Sequence, residues 1–342
     1  MLAGLSAFVA LPVFSAAQRL FPRRAAWIAV GVVLIDPLSV SSSTVIMTET
    51  TQGFLLALLG LGLVVALQGG PYRMVGWGLA GATCALATLV RPSTYYLVVI
   101  LSALAIVYSV RRRSSLRQGV AALLLLALPS VLLLGGWQLR NHIRVDSWRF
   151  TGIEALSMYT FRAGDVLAQR QGVPFDPYNG TIEFDLEPRR TGEAQGPYYD
   201  RMYAEGAQIV LSEPLTVART AIRGVGWAMF AEGGQFLTRV GLQDSTPMKW
   251  LLRLWMASLW LLAAVGVVVA WRRSDTRWAA GSLVLLIAYV LVISAGPETY
   301  SRFRVPVMPL LAILVAGGAF RVTVWATSRL RRVEREPVEQ PS

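Results

Sequence analysis

Long apolar stretches follow one another along most of the chain, and they are clustered rather than periodic. Seven of them carry few charges and are each close to the length that crosses a bilayer. They cover residues 49–68, 74–90, 94–110, 119–137, 251–271, 278–295 and 305–320. Two more, residues 1–17 and 26–47, are interrupted by Pro12, Asp36 and Pro37. Because only helices satisfy their own backbone groups in lipid, the pattern predicts an all-α, multi-pass bundle of about nine transmembrane helices.

The composition favours a membrane protein over a soluble one. The chain has 342 residues, of which 54% are hydrophobic and 15% are charged. Its mean hydropathy is +0.51. A soluble domain carries charge on about a quarter of its residues. We therefore exclude the class of soluble globular proteins.

The net charge of +12 comes from clustered arginines rather than from an evenly basic surface. The clusters occupy four short connections between predicted spans, and the other connections lack them. They comprise Arg19, Arg23 and Arg24; Arg111, Arg112, Arg113 and Arg117; Arg272, Arg273 and Arg277; and Arg329, Arg331, Arg332 and Arg335. Basic loops of membrane proteins face the cytoplasm, so we expect a multi-pass protein of a bacterial-type plasma (inner) membrane with a cytoplasmic C-terminus. Since topology accounts for the charge, nucleic-acid binding is excluded.

The sequence offers few metal ligands of the soft kind. Cys84 and His142 are the single cysteine and histidine of the chain. A disulfide framework and a cysteine or histidine metal cluster are therefore excluded. Metal dependence otherwise stays open, and a divalent cation is the one cofactor considered.

The predicted spans divide the chain into four parts. Residues 1–137 form the N-terminal part of the transmembrane bundle, and residues 250–328 form its C-terminal part. Residues 138–249 lie between them, are nearly charge-balanced, and predict a mostly helical extracytoplasmic segment. Residues 329–342 form a basic cytoplasmic tail.

Two helices are predicted within the extracytoplasmic segment. Residues 199–211 place Met202 and Tyr203 on one apolar stripe, which indicates an amphipathic helix. Gly206 lies in that stripe, where it either weakens the helix or marks a close contact. The pair Glu213–Pro214 starts the second helix.

Charged residues stand at the outer ends of several predicted spans that are far apart in sequence. They are Glu49, Arg91, Arg140, Arg302 and Arg304, with Asp36 as a further acid. Ionisable groups at membrane depth are costly and by default indicate a functional site. The planar guanidinium fork binds phosphate or carboxylate through two hydrogen bonds and keeps its charge when partly desolvated. The set predicts binding of a lipid-linked anion, with group transfer outside the membrane.

Each of these residues has a structural alternative when it is taken alone. Arg302 and Arg304 could be ordinary basic side chains that reach the headgroup boundary. Arg91 stands before a proline and could mark a helix end, and Glu49 could be favoured by a helix dipole. The functional interpretation therefore depends on several of them lying on one face.

Four stretches resemble conserved motifs of a known family. They are FPRRAAWIAVGVVLIDPLSVSSSTVIMTETTQGFLLALL, GLAGATCALATLVRPS, WQLRNH and SRFRVPVMPLLAIL. In this order and spacing they resemble the membrane-embedded GT-C glycosyltransferases that use polyprenyl-phosphate sugars. The bacterial protein-mannosyltransferase and aminoarabinose-transferase-like group is the most similar. The resemblance covers nearly the whole chain.

The resemblance implies a fold, a reaction and roles. It implies a GT-C-like bundle that moves a sugar from a polyprenyl-phosphate donor to an extracytoplasmic acceptor, which is a protein, a lipid or a polysaccharide. Glu49 corresponds to an acidic, catalytic position near the donor. Arg91, Arg140, Arg302 and Arg304 are the expected binding residues for the phosphate and the sugar hydroxyls.

The chain departs from that family at its start. The family's catalytic base is an aspartate in the first outer loop, directly after the first helix, and this chain begins at what resembles the second helix. Asp36 is not at the matching position. We expect Met1 to be an internal start or the result of truncation, and the chain to be a piece of a longer enzyme or an inactive relative.

Two other classes of function stay open. A transporter or flippase for an anionic lipid or solute would place broken helices and charges near the midplane, often in repeated halves. No convincing repeat is found, and the charges lie at the outer ends. A non-catalytic membrane scaffold is the third alternative.

Overall fold

The computed structural model describes residues 4, 7–45, 47–175 and 192–333. Within these ranges the secondary structure is entirely helical, without a β-strand. The α-helices are α1 (Ala10–Leu20), α2 (Arg23–Ile35), α3 (Pro37–Ser43), α4 (Thr48–Gln68), α5 (Arg73–Val90), α6 (Leu97–Arg111), α7 (Leu116–Val145), α8 (Ile153–Leu156), α9 (Gly164–Gln171), α10 (Gln195–Ser212), α11 (Pro214–Phe230), α12 (Gly234–Arg239), α13 (Thr246–Trp271), α14 (Arg277–Ile293) and α15 (Met308–Val333). The 3₁₀ helices Pro92–Thr94 and Ser301–Val307 precede α6 and α15, and the π-helical stretch Ser157–Ala163 joins α8 to α9.

Six helical segments of the described chain are long and apolar enough to cross a membrane. They are Thr48–Gln68, Arg73–Val90, Pro92–Arg111, Leu116–Val145, Thr246–Trp271 and Ser301–Arg329. The multi-pass, all-α prediction is confirmed, but the number of nine spans is higher than the structure supports. α14 is apolar with only 17 residues, and α1 has 11. The pair α2 and α3 is bent by 58° and makes a seventh span if it is counted as one.

The bend between α2 and α3 follows from two adjacent residues. Pro37 has no backbone N–H to continue α2, so the helix ends before it. Asp36 then caps α3, because its Oδ2 accepts hydrogen bonds from the backbone N–H of Ser39 at 2.9 Å and from its hydroxyl at 2.6 Å. The serine-rich run therefore starts a new helix in a new direction.

Small residues allow the spans to approach closely. A Cβ added to Gly62 of α4 would lie 2.8 Å from the backbone N of Ala80, and one on Gly76 of α5 would lie 2.5 Å from that of Ala66. No real Cβ contact is that short. Helices in lipid gain association energy from such close backbone contact. The α4–α5 pair therefore depends on these two glycines.

The basic connections lie together at one end of the bundle, which we call the basic end. Arg112 donates to the carbonyl of Ser274 at 3.2 Å, and Arg273 donates to that of Leu20 at 3.4 Å. The connections α1–α2, α6–α7 and α13–α14 are thus neighbours. The connections α3–α4, α5–α6 and α14–α15 lie at the opposite end, which we call the outer end. That the basic end faces the cytoplasm stays a prediction.

The helices between α7 and α13 form the outer segment, residues 146–245. α7 runs through the predicted boundary at residue 137 and ends at Val145, while α13 begins at Thr246. α10 and α11 correspond to the two helices predicted there. Gly206 marks a close contact, since a Cβ on it would lie 2.9 Å from the Cα of Tyr159. Of the predicted tail, residues 334–342 lie outside the described ranges.

Candidate functional site

The carboxylate of Glu49 is the centre of a charged cluster at the outer end. Glu49 lies in the first turn of α4 and is only 4% exposed. Its Oε1 lies 3.0 Å from Nη1 of Arg91 and 3.7 Å from Nε of Arg302. We call these three residues the Glu49 cluster. The convergence expected from the sequence is therefore present for Glu49, Arg91 and Arg302.

Local backbone rules place the two arginines of the cluster. Arg91 precedes Pro92, which disfavours the helical conformation, so α5 ends and Arg91 is extended with φ −149° and ψ 117°. Arg302 lies in the 3₁₀ helix Ser301–Val307, which packs on α4. A Cβ on Gly53 of α4 would lie 3.6 Å from the Cα of Pro306 in that 3₁₀ helix. The 3₁₀ helix is thereby held against the start of α4, beside Glu49.

Aromatic rings cover the guanidinium groups of the cluster. The Phe303 ring centre lies 4.8 Å from Cζ of Arg91 and 5.6 Å from Cζ of Arg302. Tyr300 lies 5.4 Å from Cζ of Arg302. Cations at this distance are attracted to the faces of aromatic rings. Phe303 therefore holds both arginines in place beside a single carboxylate.

The Glu49 cluster has an excess of positive charge, and its N–H donors are only partly satisfied. Two guanidinium groups face one carboxylate. Nη1 of Arg91 and Nε of Arg302 are buried, and neither makes a hydrogen bond with good geometry in the described chain, although both lie within ion-pair distance of Glu49. Buried donors of this kind gain strongly from a charged acceptor. The arrangement is suited to an additional anion.

Arg304 is turned away from the cluster and supports the fold. It is 3% exposed, and its Nη1 donates to the carbonyl oxygens of Ala228 at 3.2 Å and Ala231 at 2.6 Å. These carbonyls end α11, where a cation also interacts favourably with the helix dipole. Asp36 and Glu232 are the carboxylates that interact electrostatically with it. Its predicted role in substrate binding stays a prediction.

Arg140 lies on the exposed side of α7. Its described contacts are a hydrogen bond from Nη1 to Oδ1 of Asn141 at 3.0 Å and the face of Trp137, 4.8 Å from Cζ. Neither contact joins it to Glu49. Its predicted binding role likewise stays a prediction.

The buried acid Asp36 has its own partners. Besides capping α3, its Oδ1 accepts a hydrogen bond from the indole N–H of Trp255 at 3.3 Å. It is 1% exposed and links the bend to α13. Within the described ranges, no group of three or more His, Cys, Asp or Glu side chains is placed to hold a metal ion. The cofactor question stays open.

A second feature was not found from the sequence. The end of α7 fixes residues 148–150 of the outer segment by side-chain hydrogen bonds to their carbonyls. Trp137 donates to Phe150 at 3.0 Å, Gln138 donates to Trp148 at 2.9 Å, and Asn141 donates to Arg149 and Phe150 at 3.0 Å. The stretch WQLRNH therefore acts as a clasp for the outer segment.

The clasp borders a cavity of 460 Å³, which we call the aromatic pocket. Its walls are Tyr95, Tyr96, Gln138, His142, Asp146, Ser147, Trp148, Arg149, Phe150, Glu154 and Asp200. Tyr95 and Tyr96 follow the Arg91 connection, so the pocket and the Glu49 cluster share that connection. Two hydrogen bonds to Ser93 hold this connection. Gln52 donates to the Ser93 hydroxyl at 3.3 Å, and Tyr289 donates to the Ser93 carbonyl at 2.8 Å.

Burial governs the charge of one acid in the pocket. Removal of Glu154 from water raises the pKa of its carboxyl group above the ordinary value, while the neighbouring Arg149 lowers it by less. Among the described residues, the sequence signal for this pocket is limited to adjacent aromatics such as Tyr95–Tyr96. That signal also fits a membrane interface.

Comparisons with known proteins complete the description. No protein-family model and no curated protein sequence matches the chain. A solved structure of the archaeal oligosaccharyltransferase AglB from Archaeoglobus fulgidus, in complex with an inhibitory peptide and a dolichol-phosphate, is similar with a TM-score of 0.43 and 13% identity. The match covers 98% of this chain and 40% of that one, so the chain spans less than half the length of that protein.

Proposed function

We propose that the chain is an integral-membrane glycosyltransferase, or a piece of one, that transfers a sugar from a polyprenyl-phosphate donor to an acceptor outside the membrane. The Glu49 cluster is the observation that carries this proposal. It combines two arginines, one buried carboxylate and partly satisfied N–H donors at the outer end of the spans. The proposal places the protein in a bacterial plasma membrane, with the cluster on the outer side.

The chemistry of the cluster suits the leaving group of such a reaction. When the bond between the sugar and the lipid phosphate breaks, negative charge develops on the phosphate oxygens. Preorganised donors that face this charge lower the barrier most effectively in a site of low polarity. Arg91 and Arg302 supply those hydrogen-bond donors. Glu49 keeps both guanidinium groups in position while no polyprenyl-phosphate sugar is bound.

The cluster leaves one task to another group. Attack by an acceptor hydroxyl releases a proton that a base must take up. Glu49 is the acid of the cluster and is held by two arginines. We therefore assign the cluster to donor binding and leave proton uptake to a carboxylate outside it.

A lipid-binding measurement tests the proposal. The purified chain in nanodiscs is titrated with undecaprenyl phosphate, and bound lipid is counted by native mass spectrometry. Arg91→Gln and Arg302→Gln should each weaken binding at least about ten-fold, which corresponds to the loss of one charge-assisted contact of about 1.4 kcal/mol. Arg24→Gln, an exposed arginine at the basic end, is the matched control. Unchanged binding in both cluster variants would overturn the proposal.

One observation favours a transporter as the second candidate function. The pair α2–α3 is bent by 58°, as in a broken span or a re-entrant loop, and has the buried Asp36 at its break. Discontinuous helices are typical of transporters. A flippase would move a fluorescent polyprenyl phosphate across proteoliposomes without any sugar acceptor. A transferase would leave that lipid in its leaflet, and it would transfer sugar from a glycosylated donor lipid to an acceptor hydroxyl when an acceptor is supplied.

A further inference from the structure

The aromatic pocket has no assigned role in donor binding. We propose that it binds a neutral saccharide, so that the acceptor carries sugar rather than being a bare protein hydroxyl. The assignment of this saccharide as the acceptor rests on the proposed function, whereas saccharide binding by the pocket does not. A cavity of 460 Å³ is within the usual range for sites of small molecules.

The pocket presents flat aromatic faces to solvent. Trp148 is 56% exposed and Tyr96 is 54% exposed. His142 stacks on the ring of Trp148, with the ring centres 4.4 Å apart and the planes at 16°. Sugar rings have apolar C–H faces that pack against such surfaces and hydroxyl edges that need polar partners. Aromatic side chains contribute large contact areas of this kind at little cost in conformational entropy.

Carboxylates outnumber guanidinium groups in the pocket, since Asp146, Glu154 and Asp200 share its walls with Arg149. Arg149 contacts Asp200 through Nε, and its Nη1 lies 4.0 Å from Oε2 of Glu154. Its guanidinium group also lies on the ring of Tyr203, 4.2 Å from the centre. A free phosphate would meet three carboxylates here, and a cationic ligand would compete with Arg149, which already lies between Glu154 and Asp200. Hydroxyl groups donate hydrogen bonds to carboxylates without adding charge, so the pocket suits a neutral ligand with many hydroxyl groups.

Hydroxyl groups match the donors and acceptors that the pocket offers. A carboxylate accepts hydrogen bonds at several positions and a guanidinium donates up to five, so neither Glu154 nor Arg149 is saturated by the other. Each sugar hydroxyl can donate a hydrogen bond to the carboxylate of Glu154 and accept one from the guanidinium group of Arg149. Tyr95 and Gln138, which are bonded to each other at 3.2 Å, add a hydroxyl and an amide at the same wall.

The pocket is held rigid before a ligand arrives. The clasp of α7 fixes the backbone on both sides of Trp148 and Arg149. Gly196 of α10 lies so close to the end of α7 that an added Cβ would collide with the carbonyls of Val145 and Asp146. A preformed site loses less entropy when it binds a ligand.

The ordinary alternative is that these aromatics belong to the interfacial belt of a membrane protein. Such residues face lipid and are accompanied by apolar neighbours. Here Trp148 and Tyr96 share a cavity with Glu154, Asp200 and Arg149 instead. The presence of charged side chains between the rings favours a polar ligand over lipid.

Saccharide binding is tested directly on the full chain in nanodiscs. Oligosaccharide mixtures from a mannan, an arabinan and a dextran are added separately, and saturation-transfer NMR and tryptophan fluorescence report binding. A serine- and threonine-rich peptide mixture serves as the competing ligand class. We expect at least one saccharide mixture to bind. The Trp148→Ala variant should bind this mixture at least ten-fold more weakly. Trp148→Phe should retain part of the binding, and Glu154→Gln should weaken it.

The control is Tyr72→Ala, which removes an aromatic ring with 64% exposure from the loop before α5. It should bind as the unmodified chain does. Undecaprenyl phosphate binding and the thermal unfolding midpoint verify that Trp148→Ala is folded. Binding of the peptides alone, binding of none of the mixtures, or saccharide binding that Trp148→Ala leaves intact would each overturn the inference. Lipid binding without saccharide binding contradicts this inference alone, while saccharide binding without lipid binding contradicts the proposed function alone.

Discussion

Arg162 of the π-helical stretch lies 3.7 Å from Oε1 of Glu298, in the connection that leads from α14 to Arg302. The same oxygen accepts a hydrogen bond from Ser157 at 2.9 Å, and Arg162 also donates to the carbonyl of Ile293 at 3.2 Å. The outer segment is thus tied to the connection that carries the Glu49 cluster. The described structure offers no comparable tie from Glu298 to the spans.

Loss of this tie should loosen the outer segment without unfolding the spans. Glu298→Gln weakens the contacts of Arg162 and Ser157, each of which contributes on the order of 1 kcal/mol. We expect faster amide hydrogen exchange in α8 and α9 and unchanged exchange in α4 and α5. Asp275→Asn breaks an exposed pair with Arg273 at the basic end and serves as the control. Equal exchange rates in Glu298→Gln and the unmodified chain would contradict the coupling.

Removal of the central carboxylate should destabilise the protein strongly. Glu49→Gln leaves two guanidinium groups in a buried place without their partner, and breaking a buried pair costs about 3 kcal/mol or more. The thermal unfolding midpoint in detergent measures the effect. Glu213→Gln removes an exposed pair with Arg170 at 3.4 Å and should cost about 1 kcal/mol at most. The double variant Glu49→Gln, Arg302→Gln should recover part of the lost stability. Equal unfolding midpoints for Glu49→Gln and Glu213→Gln would contradict the stabilising role of the Glu49 carboxylate.

The two glycines of α5 nearest its start should respond oppositely to alanine. In Gly76→Ala the new Cβ meets the backbone of α4 at 2.5 Å, and overpacking of this kind costs about 1–3 kcal/mol. In Gly78→Ala it lies 3.9 Å from the Leu125 side chain, so only the gain in helix propensity remains, about 1 kcal/mol. Unfolding midpoints of the two variants should therefore lie on either side of the unmodified chain. A stabilised Gly76→Ala would mean that α4 and α5 are farther apart than described.

The raised pKa of Glu154 predicts a pH-dependent stability. Burial favours the protonated form in the folded state, so its contribution to the free energy of unfolding is complete below the ordinary carboxyl pKa. That contribution is lost as the pH rises through the raised pKa. Glu154→Gln resembles the protonated form and should be more stable than the unmodified chain at neutral pH but not at acidic pH. Unfolding midpoints over this range measure the difference. If the Arg149 contact outweighed burial, the variant would be the less stable one at neutral pH.

Part of the Glu49 cluster follows from the sequence because helix ends are local features. Pro92 ends α5 at Arg91, and the apolar run after Glu49 starts α4, so both charges were expected at the same end of the bundle. Local sequence features do not show which of Arg302 and Arg304 faces Glu49. A 3₁₀ helix has about three residues per turn, so residues two apart point in different directions. Only tertiary packing decides that Arg302 faces Glu49 and Arg304 faces α11.

The number of spans and the aromatic pocket required the structure. The 26–47 run contains enough apolar residues for a span, but the Asp36 cap turns the chain by 58°. Arg140 follows the apolar run 119–137, and because α7 continues to Val145 its side chain lies on that helix, where its binding role stays a prediction. The pocket combines residues from the α5–α6 connection, α7, α8 and α10. Its charges come together only through long-range contacts that no local pattern encodes.

The length of α7 fixes how far the pocket stands from the basic end. Its 30 residues extend about 45 Å, whereas the hydrocarbon core is about 30 Å thick. The clasp residues Gln138 and Asn141 belong to the last turns of this helix, so it serves as a spacer between the basic connections and the pocket. We expect a ligand of the pocket to approach it close to the lipid surface, anchored to the membrane or extended along it.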